Sequence, residues 1–146
     1  MTDPRAYDIR FAAYALITDG ARVLLVRLRE PTPSGLRWTL PGGGVELHET
    51  PEQALHREML EETGHTVRLG ALLGIDTFVT DGAQRLHPPH VPLQSVRAIY
   101  RATITGGELR DEPDGSTDLA GWVPLGEVDT LGCLSLVHAA LRFAGD

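Results

Sequence analysis

The chain has 146 residues, a net charge of −7, a pI near 5.3 and 42% apolar side chains. This composition suits a globular fold, read as a single domain over residues 1–146, and excludes a disordered chain. The acidic balance argues against a nucleic-acid polymer or an anionic membrane as partner. It leaves room for a phosphate-bearing small molecule whose contact is mediated by a metal ion.

The opening "MTDPRAYDIR" lacks the apolar stretch of a signal peptide, and no apolar run reaches membrane-span length. "IRFAAYALI" (9–17) and "RVLLVRL" (22–28) read as strands covered on both faces, because they are continuously apolar rather than alternating. The "TDGA" between them (18–21) is a hairpin signal. "EPTPSG" (30–35) is a surface loop, and "RWTL" (37–40) is a short strand leading into "PGGG" (41–44), most simply a turn. A helix follows over 51–63. Thr50 is its N-cap, Pro51 its first position, Gln53 the partner in a capping box and Gly64 the residue that ends it.

Residues 66–80 read as one or two strands interrupted by Gly70 and Gly74. A second "TDGA" (80–83) marks another hairpin turn, ahead of the "HPPH" loop (87–90). Two prolines there prevent a helix from aligning the histidines as a metal pair. "LQSVRAIYRATI" (93–104) is a long strand, "TGGE" (105–108) a turn, "DEPDGSTD" (111–118) an acidic loop and "AGWVPL" (120–125) a short strand. "LSLVHAALRF" (134–143) has helical spacing, with Leu134, Val137, Ala140 and Leu141 near one face. The single cysteine, Cys133, lies among leucines and reads as a buried structural thiol. A reducing, cytoplasmic setting is the simplest reading.

The 51–63 helix gathers Glu58, Glu61 and Glu62 with Arg57 as the nearby cation. At about 100° per residue the three carboxylates share an arc of roughly 100°. They border the apolar stripe of Leu55 and Met59 instead of opposing it. No Lys or Arg stands at their i+4 positions, as a plain solvated helix face would favour. Three oxygen donors at the edge of a core match the needs of a hard divalent cation. The glycines of "PGGG" allow a backbone to approach such a site, offering carbonyl or N–H.

Gly43, Glu49, Arg57, Glu58, Met59, Glu61, Glu62, Gly64 and His65 resemble the Nudix hydrolase signature, G-x5-E-x7-R-E-U-x-E-E-x-G-U. The match spans Gly43 to His65. It departs at His65, where an aliphatic residue is usual and packing behind the loop is affected, and at His48, where many members have glycine. The resemblance implies an α/β Nudix fold: a mixed β-sheet sandwiched between α-helices, with the box as loop–helix–loop. It implies hydrolysis of a nucleoside diphosphate linked to another group, with Mg²⁺ or Mn²⁺. Glu58, Glu61 and Glu62 would be the metal-binding carboxylates, one of them a general base in some members. The Gly42 backbone carbonyl would be a further ligand. Arg57 and Glu49 would orient the cluster by an ion pair.

A further acidic residue in a later loop serves many members. "DEPDGSTD" offers Glu112, Asp114 and Asp118, of which Asp118 is the choice. Arg27 and Arg37 are candidates for a substrate phosphate, and Trp38 is read as core. The proline that follows the box in ADP-ribose members is absent, Asp81 and Ala83 standing in that region, and so is the motif of the coenzyme A members. The short chain looks most like MutT-type members acting on (deoxy)nucleoside triphosphates. The alternatives are a hydrolase of ADP-ribose, a nucleotide-sugar or a dinucleoside polyphosphate, and a non-catalytic nucleotide-binding module. The sequence leaves a homodimer open.

Overall fold

In the computed structural model, which describes residues 6–84 and 90–145, the first apolar run forms β1 (Asp8–Leu16) and the second forms β3 (Arg22–Leu28). The Asp-Gly turn between them makes a smaller hairpin than expected. Only β2 (Thr18–Asp19) folds back on β3, through Thr18↔Val23 and Asp19↔Arg22. β1 belongs to a different sheet. The chain changes sheets at Ile17, whose carbonyl accepts from the Leu24 N–H at 3.0 Å. A strand that is apolar on both faces gains more at the centre of a covered sheet than in a two-stranded ribbon.

The first sheet has the order β5 (Gly42–Gly44), β1, β7 (Leu93–Gly107) and β6 (His65–Thr80). β1 and β7 run parallel, from Asp8↔Leu93 to Leu16↔Arg101, and the other pairs are antiparallel, so the sheet is mixed. In the second sheet β3 pairs with β8 (Thr117–Pro124) along one edge. β2 and β4 (Trp38–Thr39) occupy the other.

Alternate residues of β1 and β3 feed two cores on opposite faces. Ala13, Ala15 and Leu24 meet Leu55 and Met59 of α1 (Pro51–Thr63). Leu16, Val23 and Leu25 meet Leu136, Val137 and Ala140 of α3 (Ser135–Ala144), with the short α2 (Val128–Leu131) alongside. The sheets therefore lie between helices, the α/β arrangement that the resemblance implies. Leu55 and Met59 are fully buried, each contributing about 1.5–3 kcal/mol. That is several times an exposed ion pair, so packing sets the position of α1.

Several expectations need correction. "PGGG" is not a turn: its glycines form β5, paired with Ala12, Ala13 and Tyr14 of β1. Residues 66–80, expected as one or two strands, form one, with irregular register between Leu69 and Leu72 and between Leu72 and Gly74, where the interrupting glycines stand. Gly74 lets the Phe143 ring of α3 pack close, since a Cβ there would lie 2.7 Å from it. β7 runs on to Gly107, because Gly106 and Gly107 still pair with Thr66 and His65. The second "TDGA" does not close a tight hairpin: Thr80 pairs with Leu93 across the 81–92 connection. Of "HPPH", residues 87–89 lie outside the described residues. β8 begins at Thr117, so Asp118 stands on a strand and not in the acidic loop.

The buried face of α3 is Leu136, Val137, Ala139 and Ala140; Leu134 precedes the helix and Leu141 is half-buried. Cys133 is buried, and burial pushes its thiol up to about 11. Trp38 bridges to Cys133 and packs against the α3-side core. Among the described residues no helix is long and apolar enough to cross a membrane.

Candidate active site

Both ends of α1 are fixed. Thr50 and Gln53 exchange hydrogen bonds, Gln53 N–H to Thr50 Oγ1 at 3.1 Å and Thr50 N–H to Gln53 Oε1 at 2.9 Å. At the other end Gly64 is left-handed, with φ 78°, and its N–H reaches the Leu60 carbonyl. A Cβ at Gly64 would lie 2.3 Å from the Glu108 carbonyl oxygen, so β7's exit from the sheet packs directly on this cap. Arg110 adds a cation there, donating to the Leu60 carbonyl at 3.2 Å.

β5 runs beside this helix. Bonds from Ala15 N–H to Pro41 O and from Val45 N–H to Phe11 O set the alternation of the β5–β1 ladder. That alternation turns the peptide groups of Gly42 and Gly44 away from β1. The Gly42 N–H donates to Glu62 Oε1 at 2.7 Å, and the Gly44 carbonyl accepts from Arg57 Nη2 at 3.1 Å. The same parity sends the Gly42 carbonyl outward. A Cβ at Gly43 would stand 2.8 Å from the Glu58 carboxylate.

The three helix glutamates differ in depth. Glu62 is 2% exposed, the Glu58 side chain 16% and the Glu61 side chain 47%. Arg57 lies at their edge. It makes a two-pronged bond to Glu49 at 2.8 and 3.0 Å, and its Nη1 donates to Glu58 at 2.9 Å. Glu61 is 3.5 Å from the same nitrogen. The Arg57 hydrogen bonds, helped by the Glu46 N–H, hold the Glu49 carboxyl down at about 2. Arg57 is held well above its ordinary value, chiefly by Glu49.

Glu58 and Glu62 move the other way. Burial raises both, Glu62 well above the usual carboxylate range. Arg57 partly offsets the rise at Glu58, and the Gly42 N–H does so at Glu62. Neighbouring negative charge from Glu61 and Glu112 adds to the rise at each. Among the described residues no cation pairs with Glu62.

Of the acidic-loop residues, Glu112 is the one whose negative charge acts on Glu58 and Glu62, and Asp118 is engaged elsewhere. Asp118 binds Arg27 at 2.8 and 3.0 Å and Arg37 at 3.2 Å. The Arg27 bonds hold its carboxyl below the usual range. Arg37 also donates to the Leu28 and Arg29 carbonyls. The three candidates outside the box therefore form one cluster that joins β3, β4 and β8. Arg29 clamps the acidic loop through the carbonyls of Glu112, Pro113, Gly115 and Thr117. Glu112 accepts from the Thr117 hydroxyl at 3.2 Å. A Cβ at Gly115 would fall 2.3 Å from the Glu112 carboxylate, so the glycine leaves that side chain room.

The two departures from the signature have local explanations. His48 sits at φ 71°, a left-handed conformation that glycine adopts without strain. His65 is buried and uses its Nδ1–H to donate to the Gly106 carbonyl at 3.0 Å. A polar ring is thereby accommodated where an aliphatic side chain is usual.

As the side chains stand, no group of three or more His, Cys, Asp or Glu among the described residues is arranged to hold a metal ion. Arg57 draws Glu58 toward itself, and the Gly42 N–H holds Glu62. In type, however, the donors fit a hard divalent cation: carboxylate oxygens and an outward backbone carbonyl, with no nitrogen or sulfur ligand among them.

The profile of the NUDIX domain family matches residues 8–141. The chain belongs to the Nudix family. A MutT-like protein from Streptomyces ambofaciens is 29% identical over 127 residues, covering 87% of this chain and 70% of the relative. Diphosphoinositol polyphosphate phosphohydrolase 3-alpha from Mus musculus is 36% identical over 141 residues, covering 94% and 77%. The chain spans only 47% of the length of a 39% identical Mycobacterium tuberculosis (strain CDC 1551 / Oshkosh) relative named MutT4, and 29% of a Caenorhabditis elegans relative. Among solved structures, the MutT NUDIX hydrolase from Burkholderia pseudomallei superposes with a TM-score of 0.65 at 28% identity, over 82% of this chain and 85% of that one. The NUDIX hydrolase from Nitrosomonas europaea, at 22% identity, shares the fold with a TM-score of 0.73 over 94% and 89%.

Proposed function

We propose that this chain hydrolyses the pyrophosphate bond of a nucleoside diphosphate-linked compound, with a (deoxy)nucleoside triphosphate as the preferred substrate. Mg²⁺ or Mn²⁺ would be held by Glu58, Glu61, Glu62 and the Gly42 carbonyl. The observation that carries this reading is Glu62. It is a carboxylate removed from water beside Glu58, Glu61 and Glu112, with a single backbone N–H as its hydrogen-bond partner and no cation of its own among the described residues. Such a concentration of negative charge is costly unless a cation neutralises it.

A phosphoanhydride resists attack because its oxygens are negative, and a protein at −7 adds to that repulsion. A bound divalent ion offsets this charge, polarises the phosphoryl oxygen and lowers the pKa of coordinated water. Around it, Glu49 holds Arg57, and Arg57 holds Glu58 and the Gly44 carbonyl in register with Gly42. One of these carboxylates would take the proton of the attacking water as general base. Arg27 and Arg37, with Asp118 between them, are the cationic group outside the box through which a substrate phosphate would be steered.

The test is a panel of nucleoside triphosphates, ADP-ribose, nucleotide-sugars and dinucleoside polyphosphates with Mg²⁺, read by coupled phosphate release. Metal-dependent turnover greatest on a nucleoside triphosphate is expected. Glu62→Gln and Glu58→Gln should each lower kcat at least about 100-fold while leaving Tm near that of the wild type. Turnover within a few-fold of wild type in both variants would contradict the assignment. Tight nucleotide binding with no product from any substrate would make the chain a binding module.

A further inference from the structure

α1 covers only part of the sheet face it packs on. Ala13 and Ala15 of β1 are fully buried in the core beneath it, and Tyr100 of β7 donates its hydroxyl to Glu52 in its first turn at 2.9 Å. Residues two apart on a strand share a face, so Ile9 and Phe11 lie on this side of β1. The register brings β6 to the same side: Leu72 stands level with Tyr100 and Ile75 with Ala98, while Val79 is level with Gln94 and Ile9. Among the described residues, Ile9, Phe11, Leu72, Ile75 and Val79 are left between 39% and 62% exposed.

These five side chains form two ridges, one along β1 and one along β6. Between the ridges β7 presents Gln94, Val96 and the small, buried Ala98, which makes a furrow. None of these side chains is charged. The opposite face of the same strands carries Arg10, Arg97 and Asp76, by the alternation of the register. At about 200 Å² for a fully exposed residue of this size, the two ridges leave roughly 500 Å² of apolar surface in water. That is the upper end of what a monomer carries, and patches of this size mark interaction sites.

We propose that this face is a homodimer interface, on which a second copy of the chain packs sheet against sheet through the two ridges. Across a two-fold axis the β6 ridge of each copy meets the β7 furrow of the other, so the face is its own complement. The ridges of two copies bury about 1,000 Å² before any rim is counted, which reaches the size of a specific interface. The chemistry of the face selects the same partner. A nucleic acid, an anionic headgroup or a charged peptide finds no ion here to pair with. Two chains that each carry −7 meet closely only where neither presents its charge. The contact lies on the side of the sheet away from Arg97 and Asp76, and it forms whatever the substrate.

The test is sedimentation velocity of the full chain over a concentration series. The wild type should pass from 15.8 kDa to twice that mass as concentration rises, and its Tm should rise with it. Ile9→Lys and Ile75→Lys change the two ridges separately, at positions already more than half exposed. Each should therefore melt where the dilute wild type does, and either one suffices should the other fail to fold. Each should weaken self-association at least about 100-fold, because it buries an unpaired charge in both copies. Leu109→Lys, at an exposed apolar residue beyond the end of β7, should leave the dimer unchanged. A wild type that stays monomeric at every concentration would overturn the proposal. So would a dimer indifferent to both ridge substitutions, or one broken by Leu109→Lys. A monomer that floats with phosphatidylcholine vesicles in an Ile75-dependent way would overturn it in favour of a lipid surface.

Discussion

Gly43 matters for what it lacks. Its missing side chain leaves room for the Glu58 carboxylate, which a Cβ would approach to 2.8 Å. Its φ is not left-handed, so alanine is tolerated by the backbone and the effect falls on Glu58. Gly43→Ala is therefore expected to lower kcat about 100-fold, the scale of a 1 Å misplacement, with a small change in Tm. Steady-state kinetics and a thermal melt check this together. His48 presents the opposite case, a side chain where none is wanted. At φ 71° it bears left-handed strain of about 1–2 kcal/mol, against which glycine's extra unfolded-state entropy costs about 0.4–1 kcal/mol. His48→Gly should raise stability by up to about 1 kcal/mol in urea denaturation. The box residues were legible because they recur at fixed spacing on one helix and its approach. Glu112 was not singled out, because which acid of "DEPDGSTD" acts on the helix carboxylates depends on where β8 starts. Thr117 begins the strand and hands Asp118 to Arg27.

α1 is the element read most completely from sequence, because the residues that bound it, Thr50, Pro51, Gln53 and Gly64, are local; the Arg110 bond to the Leu60 carbonyl is the distant addition at its end. Thr50→Ala should cost about 1 kcal/mol. The approach to the helix depends on Glu49, whose carboxyl Arg57 and the Glu46 N–H hold at about 2 against an ordinary 4.5. A lowered folded-state value means stability that is fully present above about pH 4.5 and is lost as the pH falls toward 2. Glu49→Gln should therefore melt below the wild type at pH 7, and the two melting curves should converge as the pH drops through that window. A constant difference would show that the ion pair contributes nothing. β5 and the ends of β6 and β7 were not legible. Their boundaries follow from pairing with distant strands, and three successive glycines have no strand propensity of their own.

At the scale of the molecule, α-helices on both sides of mixed sheets followed from the family resemblance, while the partition into two sheets did not. β1 and β3 are apolar on both faces, so neither displays the alternation that would have told them apart from hairpin partners. That partition places α1 and β5 side by side, concentrating carboxylates in a chain that already carries −7. The same logic predicts a thermodynamic linkage. A cation bound only by the folded chain stabilises it by about 2.7 kcal/mol at one hundred times its dissociation constant. Mg²⁺ should therefore raise the Tm of the wild type, with little effect on Glu62→Gln. The most direct measurement is calorimetric titration of Mn²⁺ into the wild type, Glu58→Gln and Glu62→Gln, each with a non-hydrolysable nucleoside triphosphate present. Saturable uptake by the wild type that both substitutions abolish is the predicted result. Uptake unchanged in the two variants, or absent from the wild type, would contradict the account.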